Sequence, residues 1–106
     1  MAKYMVQGSY TVDGVKGLLK EGAASRVEVV RKMVEGLGGK LETIYWGFGD
    51  NDVYVIADLP DNASAAAVSL TVVAGGAVRL KTVVLLTAEE VDAAAKKSVA
   101  YRPPGA

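Results

Sequence analysis

The side chains able to do chemistry in this chain are few, and the missing types narrow the field first. There is no histidine and no cysteine. Without cysteine there is no disulfide, no thiolate nucleophile, no iron–sulfur cluster and no Cys-ligated zinc. Without histidine the commonest general base is gone, and with it the commonest ligand of zinc, copper and haem. Serines 9, 25, 64, 69 and 98 have no imidazole to activate them. What remains is a set of turn carboxylates (Asp13, Asp50, Asp52), the arginine Arg79 and the tyrosines Tyr45 and Tyr54. Tyrosine and lysine serve as acid or base only when their pKa is displaced, which sequence does not show. Asp50-x-Asp52 lacks the Asp/Asn-Gly step and the closing Glu of a calcium loop, so no metal site is expected. Gly38-Gly39 and Gly75-Gly76 lack the P-loop lysine and read as helix caps.

Charge excludes further partners. Twelve Lys+Arg balance twelve Asp+Glu over 106 residues, whereas a nucleic acid or an anionic membrane calls for a basic surplus. Met1–Tyr10 has no unbroken apolar stretch of the sort a signal peptide needs. The longest apolar run, Ala63–Val78, falls short of the roughly 18 residues of a membrane span. A cytoplasmic protein without cofactor, nucleic acid or membrane partner is expected. The length suits a single domain, taken as residues 1–98, with residues 99–106 as a tail.

The elements that must position the candidate side chains follow from periodicity and punctuation. Lys3–Tyr10 reads as a strand. Thr11 or Asp13 starts a short helix over Val15–Glu21, which Gly22-Ala-Ala interrupts. Ser25-Arg-Val-Glu28 has the form of a capping box. Val27, Val30, Val34 and Leu37 then form an apolar stripe, with Glu28 and Lys32 paired on the other side. Lys40–Phe48 and Asp52–Leu59 are strands joined by a tight hairpin at Asp50-Asn51. Pro60-Asp61 opens an Ala- and Val-rich helix over Ala63–Ala74, expected to be largely buried for want of a polar face. Ala77–Leu86 is the fourth strand, and the capping box Thr87–Glu90 opens a last helix to about Lys97.

The order βαββαβ plus a C-terminal helix is the split βαβ, or ferredoxin-like, arrangement of the α+β class. It implies a four-stranded antiparallel sheet with two helices on one face. One end of that sheet gathers Thr11, Asp13, Gly49, Asp50, Asp52, Gly75, Gly76 and Arg79. Strand alternation puts Trp46, Phe48, Val53 and Val55 under the helices. It puts Thr43, Tyr45, Tyr54, Ile56 and Asp58 on the open face, joined there by Arg79, Lys81, Val83 and Leu85. This mixture is too apolar for a solvated face and too polar for a helix-covered one. A second sheet is the expected cover, since tyrosine and arginine are enriched at interfaces.

From Tyr4 to about Lys97 the chain resembles the GYD-domain family of small bacterial proteins. The resemblance rests on Arg26-Val-Glu28, Leu37-Gly-Gly-Lys40, Tyr45–Val55, Leu59-Pro-Asp61 and Val78-Arg-Leu-Lys-Thr82. In the family's Gly-x-Tyr-Asp turn, here Gly49–Asp52, Asn51 replaces the tyrosine. The resemblance implies a dimeric α+β barrel and supplies no catalytic residues. The functional expectation is therefore a non-catalytic homo-oligomeric module, with Tyr45, Asp52, Tyr54 and Arg79 as candidate ligand contacts. The alternative is a small cofactor-independent α+β-barrel enzyme of the monooxygenase type. Asp52 is expected to act on stability first, by accepting hydrogen bonds from amides of its own hairpin.

Overall fold

The computed structural model describes residues 1–106. Alternation in the first ten residues produces β1 (Ala2–Tyr10), and Thr11 ends it by capping α1 (Val12–Glu21), its hydroxyl accepting from the Gly14 amide. Then come α2 (Ala23–Gly36), β2 (Lys40–Trp46), β3 (Val53–Leu59), α3 (Asn62–Ala74), β4 (Val78–Leu85) and α4 (Ala88–Ala95). The four strands form one antiparallel sheet in the order β2-β3-β1-β4, an α+β fold consistent with the ferredoxin-like arrangement. No helix is long and apolar enough to cross a membrane.

Helix α2 packs on β2 and α3 on β4, both on the sheet face that carries Tyr4, Ala57 and Leu59. The sealed core lies at one end of this layer: Tyr4, Val34, Ala57, Leu59, Ala65 and Val68. Tyr4 is 1% exposed, and its hydroxyl donates to Asn62 Oδ1 at 2.6 Å, so the buried ring carries no unpaired polar atom. Helix α1 presses so closely that a Cβ on Gly14 would stand 2.0 Å from the Ala77 carbonyl oxygen.

Several local expectations are corrected. Helix α2 begins at Ala23, and Ser25 lies inside it without capping it. Gly22, at φ 87°, closes α1 through its amide to the Leu18 carbonyl. That leaves the good helix formers Ala23 and Ala24 free to start the next helix at once. Glu28 pairs with Arg31, one turn on, and not with Lys32. Strand β2 stops at Trp46, so Phe48 sits in the Gly47–Asp52 loop, 77% exposed, and not under the helices. Helix α3 is not largely buried: only Ala65 and Val68 are, while Leu70 is 74% exposed. A lone helix on a sheet buries one stripe, and its composition does not change that geometry. The Asp61 N-cap and the Thr87–Glu90 capping box form as read.

Candidate functional site

The open face is ordered in rows, because residues paired across antiparallel strands share a side. Tyr45, Tyr54, Gln7 and Lys81 make one row across all four strands. The next holds Thr43, Ile56, Met5 and Val83, and is almost wholly apolar. The third carries Lys40, Asp58, Lys3 and Leu85. Here Lys3 Nζ reaches Glu42 Oε1 at 2.5 Å and Asp58 Oδ1 at 3.0 Å. Hydrogen bonding to Glu42, then to Asp58, raises the Lys3 pKa above its ordinary 10.5. A charged clasp thus borders an apolar band that no helix covers, with Tyr45 70% and Val83 40% exposed.

Of the four candidate ligand contacts, the fold brings Tyr45 and Tyr54 together as cross-strand neighbours. Arg79 lies two strands away on β4, opposite Ser9. Asp52 is turned to the backbone of β1: its Oδ2 accepts from the Tyr10 amide at 2.9 Å. The acceptor role expected of Asp52 is there, but its donor is on β1 and not in its own hairpin. The other turn residues at this end are likewise tied to one another. Ser9 Oγ donates to the Asp50 carbonyl at 3.0 Å and Thr11 Oγ1 to the Gly76 carbonyl at 2.9 Å. No three Asp or Glu side chains converge as a metal site would require.

Sequence reasoning missed a cavity on the other side of the sheet. Helices α2 and α3 stand apart, each on its own half, and leave about 310 Å³ between them. The lining is mainly apolar, from Val6, Val53 and Val55 on the sheet to Val30 and Val72 on the helices. Its polar groups include Arg26, Tyr10 and Trp46, and the indole Nε1–H donates to the Tyr10 hydroxyl at 3.0 Å. The available signal was side-chain size. The inward-facing Val6, Val53 and Val55 are too small to fill the space between two helices set on opposite strands of the sheet.

A family model, GYD domain, matches residues 4–95, so the chain belongs to the GYD-domain family. No curated protein and no solved structure matches it.

Proposed function

We propose that this GYD-domain protein is a non-catalytic, cytoplasmic homo-oligomeric module whose sheets pair through their open faces. The observation that carries this reading is the apolar row Ile56–Met5–Val83, its first two members half-buried and Val83 exposed, with Tyr45 exposed beside it. Contiguous exposed apolar surface of this sort marks an interaction site. A two-fold pairing would set each row against its own copy and spare the rim of Lys3, Glu42 and Asp58 from deep burial. Tyr45, Tyr54 and Arg79 supply the hydrogen-bond donors of that seam, where a small ligand can be held; Asp52 has only Oδ1 left to offer.

Helix α4 supports the same reading. It has eight residues, a full capping box and no buried side chain. Isolated helices shorter than about 12–15 residues are marginal in water. A stable α4 therefore needs a surface beyond its own domain, and a second copy provides one. The chain's radius of gyration is 16.8 Å, against about 13 Å for a compact domain of this size, and residues 88–106 are exposed throughout.

Light scattering tests the proposal. The wild-type mass should be at least twice 11.0 kDa, and Ile56→Glu, which would bury an unpaired carboxylate in the seam, should reduce it to one chain. Because Ile56 lies on the uncovered face, the variant should still fold, as circular dichroism would show. A wild-type mass near 11.0 kDa refutes pairing.

A further inference from the structure

We propose that the cavity between α2, α3 and the inner face of the sheet binds a small amphipathic monocarboxylate, one aryl or acyl body with a single anionic head. Its volume of about 310 Å³ sits at the low end of the roughly 300–1,000 Å³ typical of small-molecule sites. That admits one compact ligand and excludes a helix or an extended peptide. The walls define the body of the ligand. Val6, Val53 and Val55 face Val30, Met33 and Val72 across the space, so a polar body would lose its hydrogen bonds to water without replacing them. An apolar body restores the dispersion contacts that the lining now lacks.

The head is defined by charge. Arg26 is the one charged side chain of the lining, and no carboxylate shares the main cavity with it. Its nearest acid is Glu21 at 4.0 Å, beyond hydrogen-bond distance, on a side chain half exposed to water. The planar guanidinium fork therefore has donors to spare, in the geometry that suits a carboxylate. Tyr10 adds a second donor. Its oxygen accepts from Trp46, which leaves its own proton for an acceptor. Tyr10 and Arg26 both also line a smaller cavity beneath α1. Asp13 and Glu21 line that second space, so a further anionic group reaching into it would be repelled. One negative charge is accommodated, and a dicarboxylate is not. The site lies on the opposite side of the sheet from Tyr45 and Tyr54 and stands whether or not sheets pair.

The chain has one tryptophan, Trp46, and it lines the cavity, so its emission reports on occupancy. Octanoate, octan-1-ol and octylamine, probes of equal chain length, should be titrated while that emission is followed. Octanoate should give a saturable change with a Kd at least about tenfold lower than the other two. Arg26→Gln should abolish that preference while leaving octan-1-ol binding within about twofold. Glu21→Gln, which frees the guanidinium further, should tighten octanoate alone. Arg26 is partly exposed, so these variants should keep the wild-type circular dichroism; Arg26→Lys, charged but without the fork, should fall between. Three results each overturn the proposal: no saturable change with any probe, equal affinity for octanoate and octan-1-ol, or a preference that survives Arg26→Gln.

Discussion

Asp52→Ala should weaken the fold without touching any apolar contact, and its cost can be worked from one bond. The Tyr10 amide lies past Gly8–Val53, the last β1–β3 pair, where β3 has no carbonyl to offer it. Asp52 Oδ2 stands in as acceptor at 2.9 Å. A hydrogen bond to a charged acceptor contributes about 1.5–3 kcal/mol, and an amide left dry costs about 1–3 kcal/mol. Tyr10 is only partly buried, so water can reach the amide in the variant, and a net loss of about 1–2 kcal/mol is expected. With a urea m-value of about 1 kcal/mol/M for a chain this short, the midpoint should fall by about 1–2 M.

Two controls give that experiment its edge. Asp52→Asn keeps a neutral oxygen in place and should lose less than the alanine variant. Asp50→Ala should change stability by no more than about 0.5 kcal/mol, because only the Asp50 backbone carbonyl is engaged, by Ser9. If Asp52→Ala and wild type unfold at the same urea concentration, the Tyr10 bond is not what this carboxylate is for. A ligand role would then have to be taken up in its place.

Two glycines of α1 make a matched pair. Gly14→Ala would drive a Cβ into the Ala77 carbonyl oxygen and should cost more than about 2 kcal/mol in urea unfolding. Gly17→Ala meets nothing within 4 Å and should gain up to about 1 kcal/mol from helix propensity. The Lys3 clasp should show in the alkaline limb of stability. Its pKa is raised in the folded state, so its contribution is complete below 10.5 and disappears as pH climbs through the folded value. Followed by thermal melts upward from neutral pH, the stability gap between wild type and Lys3→Met should therefore narrow only above that pH; a gap already closed at neutral pH would refute the clasp.

What was legible in the chain was whatever is decided within one turn of backbone or by strand alternation. Thr87 and Glu90 cap α4 because both partners lie within four residues. Alternation sorts Tyr45, Tyr54 and Ile56 to the open face even though the hairpin loop is longer than Asp50-Asn51. A two-residue loop at Asp50-Asn51 would set Tyr45 against Ile56. The Gly47–Asp52 loop sets it against Tyr54, a slip of two that keeps every side chain on its own face. Phe48 fared differently, because it belongs to the strand only if the short loop is right. Ser25 has the chemistry of a cap, but Gly22 turns the chain first. The spacing of α2 and α3 is a tertiary property, so the small size of the inward valines could not by itself announce the cavity between them.

The distribution of burial ties the two proposed surfaces to the stability of the whole. Ten of 106 residues are buried, and the six that form the core cluster all lie at the Tyr4 end of the layer. Two apolar surfaces lie on opposite sides of one sheet: inside, around the Trp46 end of the cavity, and outside, along Ile56, Met5 and Val83. Whatever covers either surface binds the folded chain and not the unfolded one, and so raises its melting temperature by mass action. The two contributions separate by what each depends on. Sheet pairing makes the melting temperature rise with protein concentration. A cavity ligand raises it at fixed protein concentration, and octanoate does so more strongly for a chain that retains Arg26 than for Arg26→Gln. Ile56→Glu should abolish the first dependence and leave the second, because the two residues stand on opposite faces of the sheet.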